Sequence, residues 1–150
     1  MKAILILSGI LALSGCAMTY KAPVTADKPY SADLNADKAA IMAAAKVVLV
    51  NEGYTITSAD DNAGVISTSP HDMRLKPEQA DCGTTLGIDY LKDNRTTTSV
   101  ALGLVVTDGN VLVKSKIQGH YIPQATMLSC VSRGSIEQDF LQKLKQRLGQ

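Results

Sequence analysis

The chain has 150 residues, enough for one compact core and short of two ordinary domains. Fifteen Lys and Arg stand against 14 Asp and Glu, a net charge of +1, so no global field recruits nucleic acid. Aromatic residues are five Tyr and one Phe with no Trp, which argues against an aromatic carbohydrate platform or a base-stacking surface and leaves aliphatic side chains to supply the buried area.

Met1 and Lys2 form a positive start, residues 3–13 (AILILSGILAL) run apolar, and Leu13-Ser14-Gly15-Cys16 brings small residues up to a cysteine. A bilayer-spanning helix takes about 20 apolar residues, so this shorter run fits the hydrophobic part of a secretory signal peptide. The tetrapeptide resembles the lipobox of bacterial lipoproteins. That resemblance implies a lipoprotein signal peptide over residues 1–15, cleavage before Cys16, and fatty acylation of Cys16 such as palmitate. Two or more acyl chains hold a protein to a membrane stably where one holds it only marginally. Ala17 follows where an Asp would favour the inner membrane, so the implied location is the periplasmic face of the outer membrane.

Lipidation of Cys16 leaves an even pair, Cys82 and Cys130. In an oxidising periplasm such a pair reads as a disulfide, closing a loop of about 49 residues and stabilising by about 4 kcal/mol on the chain-entropy account. No CxxC is present to suggest a thiol redox site.

Residues 16–33 hold Pro23 and Pro29 and show no hydrophobic period, which reads as the lipidated cysteine followed by a flexible tether of roughly 20 to 25 Å reach. The single domain then spans residues 34–150. Residues 34–52 place Leu34, Ile41, Ala45, Val48 and Leu49 on one helical stripe, with Asp33 as the N-cap and Gly53 at the end. Residues 54–59 and 65–68 are β-prone around an Asp-Asp-Asn-Ala-Gly turn, and read as a hairpin. Residues 69–94 are interrupted by Pro70, Pro77, Gly83 and Gly87, and read as a long loop with one helical turn near 76–80 and a short edge strand near 86–91.

Residues 96–107 alternate strictly, with Val100, Leu102, Leu104 and Val106 on one face. Asp108-Gly109 supplies a two-residue turn, and counting back from it pairs Val106 with Val111, Leu104 with Val113, Leu102 with Ser115 and Val100 with Ile117. Lys114 and Lys116 then face outward beside Gly103 and Ala101. Residues 119–134 read as irregular. Ser135 and Gln138 have capping-box spacing, and Ile136, Phe140, Leu141, Leu144 and Leu148 form the stripe of a second helix.

The order α-β-β-loop-β-β-α predicts an α+β fold, a two-layer antiparallel sheet of about four strands with both helices on one face. In element order it is similar to the small helix-on-sheet domains of envelope assembly lipoproteins.

No HExxH, GxSxG, GxxxxGK[ST] or GxGxxG pattern occurs, and no catalytic residue, metal ligand or cofactor is assigned. His71-Asp72 and His120 are the candidates for a hydrolase acting on cell wall or lipid, an alternative reading. The preferred reading is a non-catalytic, membrane-anchored module that binds an envelope protein as a scaffold or assembly-modulating factor. A second alternative is an inhibitor or exclusion factor whose long loop enters a cleft of an incoming enzyme or phage component. Two surfaces are candidates for the partner: the outer face of the second hairpin with Lys114 and Lys116, and the disulfide-pinned patch with Arg74, Lys76, Tyr90, Arg95 and Tyr121.

Overall fold

The computed structural model describes residues 20–24 and 28–150, so residues 1–15, read above as a signal peptide, and Cys16 lie outside the described residues. The long hairpin is the backbone of the architecture. Strands β9 (Thr96–Thr107) and β10 (Asn110–Tyr121) pair antiparallel around Asp108-Gly109, in the register derived from the alternation: Val106 opposite Val111, Leu104 opposite Val113, Leu102 opposite Ser115, Val100 opposite Ile117. Val100, Leu102, Leu104 and Val106 are all buried, each stabilising by about 1.5–3 kcal/mol relative to exposure.

Shorter strands extend or flank this hairpin: β1 (Tyr20–Lys21), β2 (Tyr30–Asp33), β3 (Ile56–Asp60), β4 (Val65–Thr68), β5 (His71–Asp72), β6 (Ala80–Asp81) and β7 (Thr84–Thr85). Two more complete the set, β8 (Ile88–Asp89) and β11 (Thr126–Ser132). The fold is therefore α+β with antiparallel sheets. The large sheet holds eight strands in the path β3-β4-β9-β10-β11-β6, with β2 added to β10 and β5 to β9, and β1-β7-β8 form a second, three-stranded sheet. About four strands was an undercount.

The undercount has three local causes. Residues 28–33 pack as structure: β2 pairs with Asn110–Val113 of β10, so the tether reading of 16–33 is corrected over its second half. Further back, β1 pairs with β7 and the Val24 N–H donates to Asp81 at 3.1 Å. Residues 119–134 were misread because Gly119, Pro123 and Gly134 look like breakers. Gly119 instead sits inside β10, where a Cβ would lie 3.1 Å from the Cys130 Sγ, and β11 alternates Leu128, Cys130 and Ser132 inward with Met127 and Ser129 outward. Finally, the 69–94 stretch is tied into the core through buried Leu75, Ala80, Cys82, Tyr90 and Leu91, so it is built of short strands and turns where the sequence reads as a long loop.

Helices α1 (Lys38–Asn51) and α2 (Ser135–Arg147) pack against each other and onto the Val100–Val106 face. α1 starts four residues later than its stripe suggests. Asp37 is the N-cap, accepting from the Ala40 N–H at 2.8 Å, because Asp33 is taken up in β2 and Leu34 and Ala36 are hydrogen-bonded to Gly109 of the hairpin turn. It ends as expected at Gly53, with φ of +84° and the Tyr54 N–H returning to the Leu49 carbonyl. α2 has no capping box: Gly134 is the N-cap at φ +95°, Ser135 is already helical, and the Glu137 side chain turns into the core. The Cys82–Cys130 disulfide is formed, with an S–S distance of 2.02 Å, and both cysteines are buried. Among the described residues, no helix is long and apolar enough to cross a membrane.

Candidate functional site

With both helices on one face, the other face of the large sheet carries no helix among the described residues. Side chains alternate across a strand, so the residues between the buried ones point there: Ser99, Ala101, Gly103 and Val105 from β9, Lys114, Lys116 and Gln118 from β10, Met127 and Ser129 from β11. β4 adds Ser67 beside Gly103 and Val65 beside Val105. The middle of the face is floored by small side chains and edged by longer ones, giving a groove of about 850 Å³ that runs from Ser67 across Ala101 and Gly103 to Lys114, Lys116, Met127 and Ser129. Lys114 and Lys116 lie two residues apart on one strand, about 7 Å, and both are exposed. The hairpin register thus puts the two lysines where the sequence placed them, opposite Gly103 and Ala101.

The second candidate patch divides. Tyr90, which opens a short 3-10 turn (Tyr90–Lys92), and Tyr121 are buried and stack edge to face with ring centroids 5.2 Å apart. Arg95 lies over the Tyr121 ring at 5.6 Å and donates to its hydroxyl at 3.1 Å, while its guanidinium grips Asp93 through two contacts of 2.9 and 2.7 Å. The Tyr121 hydroxyl in turn donates to Asp93 at 3.2 Å. The Arg95 hydrogen bonds hold the Asp93 carboxyl well below the usual carboxylate range, and Asp93 holds the Arg95 guanidinium above its own. Tyr90 and Tyr121 are therefore buried in the framework rather than exposed on the patch as the sequence reading has them, because β10 carries Tyr121 into the core. Arg74 is exposed and donates to the Asn94 carbonyl at 3.2 Å, and Lys76 is exposed in the turn closed by Gln79.

The histidines of the hydrolase reading face opposite sides of the sheet. His71 lies opposite Val100 and stacks on Tyr54 on the helix side, with centroids 5.4 Å apart. Its neighbour Asp72 lies opposite Ser99 and faces the open side, as does His120 opposite Met127. Adjacent strand residues alternate faces, so His71 and Asp72 are not a base and its orienter. Among the described residues, no three His, Cys, Asp or Glu side chains converge to hold a metal ion.

The sequence reading missed one polar cluster. Glu137, 1% exposed in the first turn of α2, accepts from the Ser115 hydroxyl at 2.5 Å and from the Ser132 hydroxyl at 2.7 Å, and Ser132 accepts from the Gly134 N–H at 2.9 Å. This links β10, β11 and α2. Tyr54 sits close by, beside a small cavity of about 300 Å³ lined also by Glu52, Asp139 and Phe140. Burial first, and then the charges of Glu52 and Glu137, push the Tyr54 hydroxyl up to about 12. Lys143 bridges Asp139 and Glu52 at the rim, and those hydrogen bonds raise its pKa. The signal that could have exposed Glu137 was the alternation of β10 and β11, which turns Ser115 and Ser132 inward and leaves two buried hydroxyls in need of an acceptor.

No protein-family model matches this chain, and no curated protein matches it. Solved structures do. A TBP-like protein from Parabacteroides distasonis is 11% identical with a TM-score of 0.46, over 68% of this chain and 64% of that one. A DUF4468 family protein from Bacteroides ovatus is 14% identical with a TM-score of 0.45, over 68% of this chain and 58% of that one. The chain spans less than two thirds of the length of either. Likeness at this level carries no statement about activity.

Proposed function

We propose that this chain is a lipoprotein of the periplasmic face of the outer membrane, held by acyl chains on Cys16, whose domain is a non-catalytic binding module for another envelope protein. The observation that carries the reading is the open sheet face. A broad antiparallel sheet is covered by helices on one side only, and its other side is a groove floored by Ala101, Gly103 and Ser67 rather than by long polar side chains. Small side chains let a second chain come close to the sheet. Lys114 and Lys116 at its edge favour an acidic partner surface and steer its approach. Confinement to the membrane raises the local concentration of both proteins, so an interface of modest area suffices.

The test is site-specific photo-cross-linking in intact cells. A photoreactive residue at Ser129, on the groove, is expected to capture a discrete partner that a probe at exposed Gln142 on α2 does not. The double substitution K114E/K116E should abolish the captured band while the protein stays folded and anchored. A Cys16→Ser version, released from the membrane, should lose it as well. Capture from Gln142 alone, or an undiminished band from K114E/K116E, would remove the open face as the docking surface.

A further inference from the structure

We infer that a second, apolar surface of this domain rests directly on the lipid bilayer, beside the acyl anchor. The inference goes beyond the binding-module reading and rests on its lipid-anchor half.

Five large apolar side chains that are 49% to 69% exposed gather at one end of the molecule: Tyr20, Leu86, Ile88, Ile122 and Met127. Their proximity follows from the pairing. Tyr20 lies opposite Thr85, and Thr85 lies opposite Ile88, so Tyr20 and Ile88 flank Thr85 on one face of the three-stranded sheet. Leu86 is in the turn that joins β7 to β8, with φ of +50° and Gly87 at +77°. Across a shallow cleft of about 410 Å³, Tyr20 and Thr85 face Met127 and Gln124, and Gln124 belongs to the same short turn (Ile122–Gln124) as Ile122. An exposed apolar cluster of this kind is what a protein presents to an interface.

The chain itself says which interface. In the antiparallel pairing of β1 with β7, the direction from Lys21 back to Tyr20 is the direction from Thr84 on to Thr85 and the Leu86–Gly87 turn. The N-terminal side of β1 therefore points the way the apolar turn points. Only four residue steps separate Tyr20 from Cys16, and fully extended chain covers at most about 14 Å in four steps. A headgroup layer is about 5 to 8 Å thick on each side of the hydrocarbon. Even fully extended, that link leaves Tyr20 within about 6 to 9 Å of the headgroup surface, so the anchor brings this end to the membrane with Leu86 and Ile88 as the apolar side chains offered to the lipid. In place of the 20 to 25 Å tether expected for residues 16–33, four residue steps separate the anchor from the first described strand. The long hairpin then stands away from the bilayer and presents the open sheet face sideways to neighbouring proteins.

The protein has no Trp, so one introduced tryptophan reports its own surroundings. The full lipidated chain carrying Ile88→Trp is incorporated into phosphatidylethanolamine and phosphatidylglycerol vesicles, with lipids brominated on their acyl chains as quenchers. Its emission should shift to shorter wavelength and be quenched several-fold more than that of Thr107→Trp at the far end of the hairpin. Met127→Trp provides a second reporter should Ile88→Trp perturb the fold. Adding L86D/I88D to Met127→Trp should relieve the quenching while the protein remains vesicle-bound through its acyl chains. Intact mass of the purified chain reports acylation separately. A chain without acyl groups overturns this inference together with the anchor; an acylated chain whose Ile88→Trp and Met127→Trp emission matches Thr107→Trp overturns this inference alone. Protection of Ile88 in native membranes but not in protein-free vesicles would assign the surface to a protein and likewise overturn it.

Discussion

Glu137 offers the sharpest test of how the core is held. Its carboxylate is buried with the hydroxyls of Ser115 and Ser132, themselves 6% and 7% exposed. Glu137→Ala leaves two buried hydroxyls without their acceptor, at about 1–3 kcal/mol each. Removing a buried carboxylate also removes its desolvation cost, which offsets part of that loss. The net expectation is a loss of about 2–4 kcal/mol, which for a domain of this size lowers Tm by about 8–15 °C. Glu137→Gln keeps the volume and one carbonyl oxygen, and either hydroxyl can accept from the new amide, so it should cost about 1–2 kcal/mol. The triple substitution S115A/S132A/E137L removes donors and acceptor together and should recover most of what Glu137→Ala loses. The assay is urea unfolding followed by circular dichroism, with an unchanged m-value required before the stabilities are compared. A loss below about 1 kcal/mol for Glu137→Ala, or a triple variant less stable than Glu137→Ala, would refute unpaired hydroxyls as the source of the effect.

Replacing Cys82 and Cys130 together by Ser should lower stability by about 4 kcal/mol, since the bond closes a loop with a sequence separation of 48; denaturation of the oxidised protein against the variant measures it. Tyr54 contributes to alkaline lability: its folded pKa of about 12 lies above the unfolded value of about 10, so its share of stability is full below pH 10 and is lost as the pH rises towards 12. The two-unit difference corresponds to about 3 kcal/mol at most, and the stability of Tyr54→Phe should fall less steeply than that of the parent between those pH values. Gly103→Leu should be tolerated by the fold, because a Cβ there meets only the Lys114 carbonyl oxygen at 3.9 Å, yet should fill the groove and suppress cross-linking from Ser129; thermal melting and the cross-linking yield check the two halves.

Local pattern was enough wherever one chemical signal dominated. The period-2 alternation of residues 100–106, ended by Asp108-Gly109, determines the long hairpin and its register, because a slip of one residue would turn every core valine and leucine outward. It thereby also determines that Lys114 and Lys116 share the open face. The stripes of α1 and α2 are legible from their own period, and the Cys82–Cys130 pair is legible from the cysteine count when Cys16 is read as part of a lipobox.

Tertiary structure alone decided the rest. Tyr30–Asp33 becomes a strand only because β10 offers an unpaired edge at Asn110–Val113, and that pairing moves the start of α1 from Asp33 to Asp37. Tyr90 and Tyr121 look like binding residues in a line of sequence and are core in three dimensions, since burial depends on which strands close over them. Glu137 looks like a helix-start carboxylate, and only the convergence of Ser115 and Ser132 from two neighbouring strands makes it internal. The apolar end at Leu86 and Ile88 arises from pairings between residues more than 60 positions apart in the chain. Sequence periodicity reports the face a side chain takes within its own element, whereas the contacts between elements depend on long-range closure, which no local pattern encodes.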